Sequence, residues 1–216
     1  MLRELCHLAA REHLIGDSAF DVRPIAWMIE LKANGDFLHF SGTHQQEPMP
    51  EPKKGAKPKK PKEFAKKFTI PRHFNPETGA TRTGAPFAYF LVDKCDYVLG
   101  LNPGAKAQEP SPEEDMRVRH RLFIEKTESC FVTTGVPELS AVLTFLRTTQ
   151  TNGLPVDLPE KMKEGELIGF VVRPAIDEFV HDLPAVQEYW RKFISGGSLQ
   201  GGSNFSCLAA CRTSGT

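Results

Sequence analysis

Residues 53–67 read KKGAKPKKPKEFAKK, a stretch that no core can absorb. It holds eight lysines, Lys53, Lys54, Lys57, Lys59, Lys60, Lys62, Lys66 and Lys67, against the single acid Glu63, in a chain whose formal net charge is zero. An ammonium group without a partner is too costly to desolvate, so whatever folds on either side must leave this segment outside. The rest of the chain carries the opposite excess, so the positive charge is concentrated rather than spread. Pro- and Gly-rich flanks, Glu47–Pro52 before and Thr69–Gly84 after, lengthen the excursion, and the second adds Arg72, His73 and Arg82 against Glu77. The expectation is a flexible basic arm at about residues 44–86, whose lysines can neutralise phosphates and release condensed counterions in a salt-sensitive way. A solvated connector between two packed elements has the same composition.

The remainder is globular in character. With 216 residues, 40% of them hydrophobic and fifteen Phe, the chain can bury the core of one large or two small domains. Leu2, Leu5, Cys6, Leu8, Ala9 and Ile15 recur at helical spacing and predict an amphipathic helix over 2–15. Asn34-Gly35 lies between two apolar runs and predicts a hairpin of strands 25–32 and 36–41, with Trp27, Ile29 and Leu31 on one face and Ala26, Met28, Glu30 and Lys32 on the other. Residues 87–92 read as extended, followed by a turn of helix or irregular structure through 93–101. Helices are expected over 112–128, where early acids and later bases suit the helix dipole, over 137–149 with Pro137 at the first position, and over 183–197. Glu166–Pro174 reads as a short strand. The fold class that follows is α+β: a small antiparallel sheet with a basic loop insertion, packed with several helices. Residues 1–197 form the main body, and 198–216 read as a linker and the start of a following region.

Chemical signatures are mostly missing. No stretch matches GxGxxG, GxxxxGK[ST], GxSxG or HExxH, and His7, His13, His39, His44, His73, His120 and His181 show no ligand spacing. The five cysteines, Cys6, Cys95, Cys130, Cys207 and Cys211, are too scattered for a disulfide framework and are expected as reduced thiols. Asp93 and Asp96, or the acids at 113–115, are the candidates for divalent-metal chemistry, although capping and the helix dipole account for them as well. No metal and no cofactor is expected. No apolar window is long enough for a membrane span, and a soluble cytoplasmic protein is expected.

The order of these features resembles a known family. A short N-terminal helix, a strand pair with a tight turn and a basic Pro-rich loop precede R-T-G-x-P-x-x-x-F-L-x-D-x-x-x-Y-V-L-G, which runs from Arg82 to Gly100. A charged helix, a helix ending near FLR, a strand reading GFVVR (Gly169–Arg173) and a terminal C-L-x-x-C-R-T-S-G follow. This pattern resembles the N-terminal part of the large subunit of the type I-C CRISPR Cascade effector complex, a prokaryotic assembly. The resemblance implies a subunit without catalytic activity that binds double-stranded target DNA, reads the protospacer-adjacent motif and helps open the duplex, while guide RNA reads the rest by base pairing. Its implied partners are the other Cascade subunits and the crRNA. By charge complementarity, an acidic anti-CRISPR protein encoded by a phage would also suit the arm.

Carried onto residues, the resemblance gives phosphate contacts to the eight lysines, with Arg72 and Arg82 at the arm's root. It gives base reading to Asn75, Thr81 and Thr83, short polar groups in a Gly-rich loop, and a strand-separating wedge to Gln45, Gln46 or Phe74. Two other readings stand beside it: a metal-dependent nuclease holding nucleic acid with the same lysines, and an interaction scaffold with a tethering arm.

Overall fold

The computed structural model describes residues 17–46, 62–75, 79, 81, 82, 86–103 and 113–197. In chain order the strands are β1 (Phe20–Pro24), β2 (Trp27–Lys32), β3 (Phe37–Gly42), β4 (His44–Gln46), β5 (Glu63–Ala65), β6 (Lys67–Pro71), β7 (Asp93–Lys94) and β8 (Leu167–Arg173). The helices are α1 (Cys95–Val98), α2 (Glu113–Thr134), α3 (Pro137–Asn152) and α4 (Pro184–Gly197), with a 3-10 turn at Val180–Asp182. The helix expected over 2–15, the lysines from Lys53 to Lys60, Thr83 and residues 198–216 lie outside the described residues.

The main sheet grows outward from the Asn34-Gly35 turn. β2 and β3 pair antiparallel, from Trp27 opposite Gly42 to Leu31 opposite Phe37. Gly35 sits at φ +89°, and a Cβ placed there would lie 2.6 Å from Thr144 Cβ and 2.7 Å from the Ala141 carbonyl oxygen. Glycine is therefore required twice, by the backbone sign and by the close approach of α3. Alternation does the rest: Trp27, Ile29 and Leu31 are buried under the helices. Glu30, on the opposite face, is nearly buried as well; burial would raise its carboxyl, but the Ser41 hydroxyl and the Arg173 guanidinium outweigh that and hold it low.

The α+β class holds, with one refinement. Strand order in the main sheet is β3-β2-β8-β7, and β2 pairs with β8 in parallel while β7 pairs with β8 antiparallel. A parallel pair needs a long crossover, and here the crossover contains α1, α2 and α3. β8 reads Leu-Ile-Gly-Phe-Val-Val-Arg, buried along its interior, as a central strand covered on both faces must be. One face meets Phe123 of α2 and Phe145 of α3, whose rings lie 6.2 and 6.4 Å from Phe170. The other face contributes Val171 to a smaller cluster with Ile25, Ile70, Val92 and Phe179.

α2 continues to Thr134, six residues beyond the expected end at 128. Its last turns carry Ser129, Thr133 and Thr134, poor helix formers whose hydroxyls donate to carbonyls four residues back. Cys130, fully buried, anchors them, and Gly135 at φ +65° closes the helix. α4 buries Trp190, whose indole N–H donates to the Ala19 carbonyl at 2.8 Å and whose ring stacks on Phe90 at 4.9 Å. β1 and β6 form a separate two-stranded ribbon over the smaller cluster, from Phe20 opposite Pro71 to Pro24 opposite Lys67. Among the described residues, no helix is long and apolar enough to cross a membrane.

Candidate nucleic-acid interface

The segment expected as a basic arm is bracketed by a second ribbon. β4 and β5 pair antiparallel, His44 opposite Ala65, Gln45 opposite Phe64 and Gln46 opposite Glu63. The chain between Gln46 and Glu63 therefore starts and returns at one place. The root of the ribbon is fastened by backbone: Thr43 N–H donates to the Ala26 carbonyl at 3.0 Å, Ile25 N–H to the Lys66 carbonyl at 3.1 Å, and Lys66 N–H to the Thr43 carbonyl at 3.4 Å. The Thr43 hydroxyl also donates to the Ile25 carbonyl.

Side chains on a strand alternate between faces, and the inner face is already taken. The His44 ring lies edge-on to Trp27 at 5.4 Å, with its Nε2 3.6 Å from the Glu166 carboxylate. Glu166 in turn accepts from the Trp27 indole N–H at 2.7 Å and from the Lys163 N–H at 3.0 Å. Ala65 packs against the main core. Gln45 and Phe64 must then face outward, and both are exposed, Phe64 by 47%.

Cations border this ribbon. Lys62, Lys66 and Lys67 are exposed, and among the described residues none of them forms an ion pair. Lys66 Nζ lies 5.2 Å from the centre of the Phe68 ring. Arg23, at the far end of β1, stands opposite Phe68 with its guanidinium 3.9 Å from Asp21. Arg72 is half-buried, its guanidinium 5.5 Å from the Phe74 ring and 3.4 Å from the Ser18 carbonyl.

Other residues singled out in the sequence turn inward. The Arg82 guanidinium donates to both carboxylate oxygens of Asp93, at 3.1 and 2.6 Å, and its Nε–H donates to the Phe87 carbonyl at 3.0 Å. It is also sandwiched between Tyr97 and Tyr89, 3.6 and 4.1 Å from their ring centres. Every nitrogen of the fork already has an acceptor, so Arg82 acts within the body rather than as an outward cation. Asp93 has no exposure; burial pushes its carboxyl up, opposed by Arg82 and by the backbone N–H groups of Tyr89 and Lys94. Phe74 likewise belongs to the body, its ring 6.5 Å from Trp190 and packed against the main core. Asn75 is half-buried and Thr81 exposed; the Asn75 carbonyl accepts from Gly79 N–H at 2.7 Å, with Gly79 at φ +68°, and Asn75 and Thr81 each have further partners.

Asp96, the second aspartate considered for metal chemistry, is engaged too. Asp96 pairs with Arg119 at 2.7 Å, and these two line a cavity of about 420 Å³ together with Lys94, Asn102 and Asp115. Among the described residues no group of three His, Cys, Asp or Glu side chains is placed to hold a metal ion. His120 is a core residue, its two ring nitrogens 3.1 and 3.3 Å from the carbonyls of Tyr97 and Leu146. Cys95 and Cys130 are free thiols, and burial pushes each up to about 12, well above the reactive range.

The ribbon itself escaped the sequence reading. Its only signal is a short aromatic and β-branched run between Pro61 and Pro71, in which the lysines mask Phe64, Phe68 and Ile70. A family model described as CRISPR-associated protein (Cas_Csd1) matches residues 5–214. No curated protein matches the chain.

Proposed function

Since the chain belongs to the Csd1 family of CRISPR-associated proteins, we propose that it is the N-terminal part of the large subunit of a type I-C Cascade effector complex, where it binds double-stranded DNA, reads the protospacer-adjacent motif and helps open the duplex for R-loop formation. The observation that carries this reading is the β4–β5 ribbon. Its strands flank the lysine-rich segment, its inner face is fastened through His44 and Ala65, and exposed Lys62, Lys66 and Lys67 stand at its return strand. A fixed root lets cations meet a phosphate backbone without first ordering their own base. Base reading falls to the loop that holds Asn75, Thr81 and Thr83, while the crRNA and the other Cascade subunits supply pairing and assembly.

In this reading the subunit has no catalytic activity. Asp93 and Asp96, the acids most suited to a metal-dependent nuclease, are each held by an arginine, Arg82 and Arg119. Charge competition of this kind opposes a divalent cation.

Reversing the charge of Lys59, Lys60, Lys66 and Lys67 together tests the interface. Each lost phosphate contact removes about 0.9 from the slope of log affinity against log salt, so the quadruple variant should weaken binding to all duplexes alike and flatten that slope by about 3 to 4. Asn75→Ala or Thr83→Ala should instead reduce the discrimination among motifs. Titration of duplexes by fluorescence anisotropy at several salt concentrations measures both, and the same DNA should stay intact with Mg²⁺ or Mn²⁺. Unchanged affinity and salt slope in the quadruple variant would remove the reading.

A further inference from the structure

Phe64 is exposed for a reason the fold does not supply. The inner face of its ribbon is filled by His44 against Trp27 and by Ala65 against the main core, so alternation sends the Phe64 ring outward, directly opposite Gln45. It is 47% exposed, and the strand that carries it lies between Lys62 on one side and Lys66 and Lys67 on the other. An aromatic face beside a planar amide, bordered by exposed ammonium groups, matches the two surfaces of an unpaired nucleotide: a flat apolar base and an anionic backbone. A protein partner would have to be apolar at its centre and acidic all around, whereas any single strand is built that way.

We propose that Phe64, flanked by Gln45, is a stacking platform for an unpaired base of the DNA that the neighbouring lysines hold. This rests on the DNA-binding reading above and adds to it a side chain that receives a base once the duplex opens. Gln45, considered from sequence as a wedge, shares the platform as the cross-strand neighbour, close enough for its amide to extend the ring's surface. Phe74, the other aromatic considered, is packed against Trp190 and takes no part.

The full chain is tested on two probes: a short blunt duplex and the same duplex with a central mismatched bubble. Wild type should prefer the bubble. Phe64→Ala should lose about ten-fold in affinity for the bubble and little for the duplex, since stacking is made only with an unpaired base. Phe64→Trp should keep the preference and add indole emission that the bubble quenches, over the background of Trp27 and Trp190, which are both buried. If Phe64→Ala misfolds, the Trp variant decides alone, and emission unmoved by the bubble overturns the proposal. Equal losses on both probes, or none, also overturn it. Where the lysine reversals weaken binding and Phe64→Ala does not, only the platform falls. Where neither does, the DNA-binding reading falls with it.

Discussion

Arg82 turns its charge inward, and its loss should be felt throughout the fold. The guanidinium is the only opposite charge placed on Asp93 among the described residues, and Asp93 is wholly buried. Arg82→Ala leaves that carboxylate unpaired, which should cost about 3–5 kcal/mol and lower the urea midpoint accordingly. His73 and His181 set the acid limit. Burial and the charge of Arg23 lower His73 from 6.5 to about 3, and burial lowers His181 from 6.5 to about 4. Among the described residues His73 Nε2 and His181 Nδ1 have no hydrogen-bond partner, so a second proton on either ring would be buried without an acceptor. The unfolded chain therefore binds protons that the folded one refuses as pH falls below 6.5. Stability should drop by about 1.4 kcal/mol per pH unit for each histidine. Asp182 acts in the opposite sense, since burial and Glu178 raise it from 3.8 to about 6 and the folded chain keeps its proton longer. The net slope should thus grow as the pH falls through 6.5 and level off at about one proton, about 1.4 kcal/mol per pH unit, from about 6 downward. Denaturant titrations between pH 7 and pH 5 check this, and His73→Phe, which keeps the stack on Tyr89, should remove about one proton from the slope.

At the level of elements, the hairpin was legible and the two outlying ribbons were not. Asn34-Gly35 announces its turn through local chemistry, and Trp27, Ile29 and Leu31 share the face that packs into the main core, as their period of two requires. Gly35→Ala should cost about 1–3 kcal/mol for the left-handed backbone alone. The contact with Thr144 and the Ala141 carbonyl adds to that, so the loss of melting temperature should exceed that of Gly79→Ala, where a Cβ meets none of the described residues within 4 Å. β1, β4, β5 and β6 are three to five residues long, and each pairs with a segment remote in sequence. No periodicity can develop over so few positions, and proline at Pro24 and Pro71 argues locally against a strand, though an edge tolerates it. The end of α2 escaped for the converse reason: burial of Cys130 outweighs the poor helix propensity of Thr133 and Thr134.

Over the whole molecule, Lys62, Lys66 and Lys67 stay at the surface while the apolar residues of both clusters close the core. Gln46 and Glu63 face each other across the ribbon, so a two-residue turn can replace residues 47–62 without moving either strand. Such a replacement should leave the melting temperature within a few degrees, since shortening a loop costs little and removes closure entropy. The same variant should lose most of its affinity for duplex DNA, and differential scanning fluorimetry beside anisotropy reads the two effects separately. The amino-acid sequence alone determined that eight lysines must stay outside, that Asn34-Gly35 turns a hairpin, that helices follow, and that the family pattern from Arg82 to Gly100 is present. Each of these is local, written in charge, turn propensity or spacing within a few residues. Only the tertiary structure decided that Arg82 clamps Asp93 instead of facing outward, that Phe74 joins the core, and that Phe64 stands exposed beside Gln45. Those outcomes depend on what the folded body sets against each side chain: Asp93 and Tyr97 against Arg82, Trp190 against Phe74, and, for Phe64, the inner face of its ribbon that His44 and Ala65 fill against Trp27 and the main core.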